Sequence, residues 1–138
     1  LRNPKSTRPW QHVLEAISGY LFLAYNLKKN KKIHGESFNF GPSLNKKNSV
    51  LDLVNSMSSY LKNFSWRIMK KTNKKFDESK LLFLNCNKAK RILKWKSSLS
   101  FKETTKMVAN WYSNFYNNPK KIERITQEQI KKYQILAF

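Results

Sequence analysis

Five consecutive residues, Arg8-Pro9-Trp10-Gln11-His12, place a guanidinium, an indole, an amide and an imidazole directly ahead of a long apolar segment. Arginine presents a planar fork of donors that matches phosphate oxygens. Tryptophan adds a flat stacking face and one N–H donor. Glutamine and histidine each donate and accept hydrogen bonds. The set suits a phosphorylated, polar, ring-containing ligand, a nucleotide sugar among them. Each residue also has a plain structural reading: Arg8 as a solvated charge, Trp10 as a core anchor, and His12 as an N-terminal helix residue bonded to backbone.

Other chemistries find less support. Cys86 is the only cysteine, so no intramolecular disulfide exists, and the two histidines, His12 and His34, do not stand at metal-ligand spacing. The formal net charge of +20 suggests a polyanionic partner. Yet 23 of the 28 basic residues are lysine and the chain carries 15 asparagines, a bias that A/T-rich codons alone produce. The lysines fall in pairs, Lys28-Lys29 or Lys120-Lys121 for example, mostly at element ends. The longest apolar run, Val13 to Tyr25, is broken by Glu15, Ser18 and Gly19 and falls short of the roughly 20 residues a bilayer span needs. With no signal or lipidation motif, the chain is expected to be cytoplasmic, or part of something longer.

The elements that must position these residues follow from periodicity. His12 to Lys29 has helical spacing with apolar residues on most of its circumference, which predicts burial on several sides. Gly19 at its centre costs about 1 kcal/mol of propensity relative to alanine, which close approach of another backbone would offset. Ser49 caps a second helix with Val50, Leu51, Val54, Met57, Tyr60 and Leu61 on one face. Ser100 and Glu103 form a capping box for a third, which stops near Pro119. Thr126 and Gln129 offer a second box for a terminal helix, and Lys88 to Lys94 reads as a short helix. Ser37 to Phe40, Ser65 to Met69 and Lys80 to Leu84 read as short strands, and Thr72 to Ser79 as a charged loop. The fold class is α/β, one domain over residues 1–138, mainly helices with a few isolated strands. Strands so sparse leave edges open, so the sheet is expected to be completed by residues outside this sequence.

Several of these stretches, taken in order, resemble the C-terminal part of the CDP-glucose 4,6-dehydratase family, within the extended short-chain dehydrogenase/reductase superfamily. They are Arg2-Asn3-Pro4, Thr7-Arg8-Pro9-Trp10-Gln11-His12-Val13-Leu14-Glu15, Ser18-Gly19-Tyr20-Leu21, Phe38-Asn39-Phe40-Gly41-Pro42, Leu82 to Lys90, Trp95, Val108 to Tyr112 and Ile125 to Tyr133. Three positions depart from the pattern: Asn85 replaces an aspartate, Lys94 a glycine and Asp77 a histidine.

The resemblance implies a substrate-binding lobe whose Rossmann half is missing. The parent reaction would convert CDP-glucose to CDP-4-keto-6-deoxyglucose and water with bound NAD, held by that missing half. No glycine-rich NAD fingerprint is present, and Tyr25-Lys29, which has the Tyr-x-x-x-Lys spacing of the family's catalytic pair, falls in an ordinary helix. No catalytic residue is therefore assigned to this chain. By resemblance, Arg8 is the diphosphate contact, with Trp10, Gln11, His12 and Asn39 as substrate-binding candidates and Glu78 the weakest. For Asn39 a strand-end hydrogen bond is the competing role. A homodimer is implied by the superfamily. The alternatives are an epimerase or dehydratase of another base, a basic nucleic-acid-binding module, and a fragment inactive by itself.

Overall fold

In the computed structural model, the described residues are 1–43, 47–61, 64–69 and 82–138. Among them, four α-helices carry the architecture.

Helix α1 (Val13–Lys29) begins at His12, whose Nδ1 accepts the Leu14 N–H at 3.2 Å. Its inner face buries Glu15, Ser18 and Gly19. Further along, Phe22, Leu23 and Leu27 pack on a core of Ile33, Phe40, Ala89, Leu93 and Trp95. The outer face is different. Val13, Ile17, Tyr20 and Leu21 are 64%, 45%, 64% and 60% exposed, so the expected burial on several sides is not found. Their spacing put them on a helix, but apart from an edge contact between the Tyr20 and Phe40 rings the described residues leave them open. Gly19 is needed for close approach, to a ring rather than a backbone: a Cβ there would stand 2.4 Å from Cδ1 of Phe40.

Helix α2 (Val50–Ser58) opens with a reciprocal capping box of Ser49 and Asp52. It stops before Tyr60 and Leu61, which turn back onto the Met57 carbonyl instead of continuing the helix. Helix α3 (Phe101–Asn117) opens with the expected Ser100–Glu103 box. Ser56 and Thr105 join α2 to α3 through a 2.6 Å hydroxyl pair.

The terminal helix α4 (Ile122–Ala137) starts earlier than its supposed cap. Pro119 opens a 3₁₀ turn, Pro119–Lys121, that leads straight into α4, proline being well suited to a first helical position. Thr126 therefore lies inside the helix. Its hydroxyl donates to the Ile122 carbonyl at 2.8 Å and accepts Trp111 Nε1–H at 2.9 Å. Gln129 likewise donates to the Met107 carbonyl at 2.8 Å, tying α4 to α3. Leu99, Met107 and Tyr133 form the core under this pair.

The short helix expected at Lys88 to Lys94 is a wide π-type turn over Ala89–Leu93. Lys94 ends it with φ of 60°, left-handed backbone where the family pattern has glycine.

The strands of the expected α/β fold need correction. Among the described residues there is one isolated antiparallel bridge, Thr7 to Ser49, and no strand ladder. Residues 37–40 and 82–84 lie near each other, with Leu84 packed over Gly41 and Asn39 Nδ2 donating to Asn85 O at 3.4 Å. No backbone hydrogen bond joins them. Residues 64–69 run alongside the N-terminus, with Met69 N–H donating to Leu1 O at 2.9 Å. Trp66 and Ile68 are both exposed, so the expected alternation buries nothing. Alternating sequence favours extended backbone, but a ladder also needs a neighbour about 4.8 Å away in register over several residues, and beyond the contact at Leu1 no described segment supplies one. The 72–79 loop and the first two residues of the Lys80 to Leu84 strand lie outside the described residues.

Candidate functional site

The Arg8 segment is held in place by α2. The first N–H groups of that helix have no intrahelical acceptor. Val50 N–H donates to Ser6 O and Leu51 N–H to Pro4 O, both at 2.9 Å. The bridge between Thr7 and Ser49 continues this clamp. Around Pro9 the chain turns tightly, with Trp10 N–H donating to Arg8 O at 2.9 Å. Arg8 and Trp10 are thereby fixed on one rim.

Arg8 is half-buried, and its Nη1 donates to Thr7 O at 2.8 Å. It walls a notch of about 20 Å³ together with Trp10, Pro42, Ser43 and Asn48. Those four residues also wall an adjoining cleft of about 300 Å³, which Gln11, Glu15, Ser97 and Thr104 deepen. Trp10 Nε1–H donates to Asn48 O at 3.2 Å, leaving the indole half-buried between core and cleft. Gln11 donates from Nε2 to Phe40 O at 3.1 Å. Its Oε1 is buried and accepts no hydrogen bond from the described residues, a rare and costly condition for a native side chain.

His12 takes no place in the cleft lining. It is 5% exposed and serves as the cap of α1. Burial lowers its pKa from 6.5, and the nearby Glu15 charge opposes this more weakly. The neutral ring is the form that can accept the Leu14 N–H. The backbone-bonding reading of His12 thus describes its position.

Asn39 is separated from Arg8. It lines a different groove, of about 720 Å³, with Ser37, Asn85, Asn87, Lys88 and Arg91. The structure therefore brings Arg8, Trp10 and Gln11 together and leaves His12 and Asn39 outside that cleft. Glu78 lies outside the described residues. Tyr25 and Lys29 meet on the exposed end of α1, where the ammonium bonds the phenol and lies 4.1 Å from the ring centroid.

Glu15 is the residue that sequence reading passed over. It interrupts an apolar run, and that break was its only signal. The side chain is 1% exposed and accepts four donors. Ser98 N–H and Leu99 N–H reach Oε1 at 2.8 and 2.6 Å, Ser97 Oγ at 3.3 Å, and Tyr133 OH reaches Oε2 at 2.9 Å. Ser18 extends the network, meeting Tyr133 OH at 2.8 Å and Trp95 Nε1 at 2.9 Å. A buried carboxylate survives without a cation when its lone pairs are filled in this way. The result ties α1, α4 and residues 95–99 together, and Glu15, Ser97 and Leu99 of this network line the cleft.

Among the described residues no group of three or more His, Cys, Asp or Glu side chains is placed to hold a metal, and no helix is long and apolar enough to cross a membrane. Cys86 is half-buried, and burial raises its pKa.

The chain is similar to CDP-glucose 4,6-dehydratase. The relative is the protein of Salmonella typhimurium strain LT2, 34% identical over 113 residues, which are 81% of this chain and 31% of that protein. The chain thus spans about a third of the length of the relative it matches. No protein-family model matches it.

Proposed function

We propose that this chain is the nucleotide-sugar-binding lobe of a CDP-glucose 4,6-dehydratase. The observation that carries the reading is the 34% identity over 113 residues to that enzyme. The geometry supports it by placing Arg8 and Trp10 on a notch that adjoins the cleft lined by Trp10 and Gln11. In this reading Arg8 receives the diphosphate, Trp10 and Gln11 shape the nucleotide end, and the general positive charge draws the anion in. The lobe binds and orients the sugar, and its catalytic value is positioning.

Two further features favour a lobe over a self-sufficient enzyme. The outer face of α1 is apolar and uncovered by the described residues. The extended residues 37–40 lack ladder partners among them. The residues of this chain do not fit NAD. Its three glycines are Gly19 in mid-helix, Gly35 and Gly41, which make no phosphate-cradling turn. The dinucleotide belongs, in this reading, to polypeptide beyond the segment described.

The test is calorimetric titration of the chain with CDP, UDP and dTDP, before and after Arg8→Ala. CDP should bind best, and the substitution should weaken it by about 1.5–3 kcal/mol, the value of a charge-assisted contact. Unchanged CDP affinity in the variant removes Arg8 from the site. Binding of UDP alone turns the reading toward an enzyme of another base.

A further inference from the structure

The groove that contains Asn39 is rich in cations and amides, as is a cleft of about 330 Å³ beside it that shares Asn87 and Lys90. One wall is the extended segment with Ser37 and Asn39, and the other is residues 85–91. Lys88, Lys90 and Arg91 line it beside the amides of Asn39, Asn85 and Asn87, with no carboxylate in the lining. The cleft between α3 and α4 offers a contrast, because there Glu103 and Glu128 balance Lys106 and Lys132. Lysine pairs such as Lys28-Lys29 and Lys120-Lys121 sit at helix ends and face outward. In the Asn39 groove the cations instead converge on a concavity of about 720 Å³, within the size range of small-molecule sites.

One of these cations is already fixed. Lys88 bonds Glu36 and lies 4.9 Å from the Phe38 ring centroid. Lys90 and Arg91 have no ion-pair partner among the described residues. A concave surface of one sign focuses its field and concentrates counter-ions. Guanidinium, ammonium and amide donors together match an anion with several tetrahedral oxygens. We propose that this groove binds a small phosphate-class anion, at a site separate from the Arg8–Trp10 cleft. The two cavities share no lining residue, so the proposal does not depend on the nucleotide-sugar reading. The shared chemistry is a chain of phosphate oxygens, free as inorganic diphosphate or carried by a nucleoside diphosphate.

The experiment is titration of the whole chain with inorganic diphosphate, and separately with CDP, at fixed ionic strength. The forms compared are wild type, Lys90→Ala with Arg91→Ala, Lys120→Ala with Lys121→Ala, and Arg8→Ala. All the lysine and arginine changes but Arg8 are at exposed positions, and circular dichroism of each variant confirms folding. Wild type should bind one diphosphate saturably. The Lys90/Arg91 variant should lose at least tenfold, while the charge-matched Lys120/Lys121 variant changes less than twofold. Asn39→Asp, which changes one atom pair and adds a negative charge, should weaken diphosphate by a similar order. If CDP follows the same variants, the groove reads the nucleotide's diphosphate; if only inorganic diphosphate does, it reads the free anion. Equal losses in both charge-matched variants would show diffuse electrostatics and overturn the proposal. So would the absence of saturable binding at millimolar diphosphate, a loss confined to Arg8→Ala, or tighter binding of a short oligonucleotide that ignores Lys90 and Arg91.

Discussion

Lys94 shows how much a single backbone angle decides. Its φ of 60° is the one left-handed value among the described non-glycine residues. The conformation costs an L-residue about 1–2 kcal/mol, and glycine adopts it without that penalty. Lys94→Gly should therefore raise stability by about 1 kcal/mol, part of the relief being lost to the greater chain entropy of glycine when unfolded. Urea denaturation measures this, and a destabilised variant would mean that the lysine side chain itself supports the turn. His12 is governed by burial in the same way. Its pKa is lowered in the fold, so the unfolded chain binds the proton more readily. The His12 contribution is complete above pH 6.5 and is lost as the pH falls below that value. Asparagine caps equally well without titrating. His12→Asn should flatten the stability curve below pH 6.5, as read from thermal melts on the acid side of that value.

At the scale of elements, helices were legible and strands were not. The Ser100–Glu103 box was readable because both partners lie within one turn. The Ser49 cap was readable too, although its reciprocal partner Asp52 was not singled out. The misplaced start of α4 has a clear cause. Thr126 and Gln129 have capping-box spacing, but their hydrogen bonds go to Ile122, Trp111 and Met107, choices made by the α3–α4 packing. Tyr133 ties α4 to α1 through Glu15 and Ser18, and its pKa is pushed up to about 12, chiefly by burial. A raised phenol pKa favours the neutral form in the fold. The stability it confers is therefore whole below pH 10 and is lost as the pH climbs toward 12. Tyr133→Phe should be less stable at pH 8, by about 1–3 kcal/mol for the bond lost to a buried carboxylate. It should also lose the alkaline fall expected of the wild type above pH 10. Equal alkaline slopes in both proteins would place the titrating group elsewhere.

For the molecule as a whole, the decisive contrast is between the two faces of α1. The inner face is committed to the core and to the Glu15 network, while the outer face is apolar and exposed. Substitutions on the outer face should hardly change the stability of this chain. Ile17→Gln with Leu21→Gln is expected to stay within about 0.5 kcal/mol of wild type per site. Leu93→Ala in the core, by contrast, should cost about 2–5 kcal/mol. Chemical denaturation of the three proteins checks this, and a large loss in the Ile17/Leu21 variant would mean that residues of this chain already cover that face. The extended residues 37–40 likewise find no backbone ladder partner among the described residues.

Sequence alone determined where α2 and α3 begin, because the Ser49 and Ser100 caps bond within their own first turns. It also brought the Arg8–Trp10–Gln11 cluster to attention, because neighbouring residues on a short turn cannot stray far from one another. Tertiary structure decided the rest. It buried His12, whose capping bond to Leu14 is local, moved Asn39 to a second groove, and gave Glu15 four donors from residues 82 or more positions away. Hydrogen bonds and cavities of that kind depend on which distant segments meet. Strand pairing depends on the same thing, which is why extended sequences here remained without a ladder among the described residues.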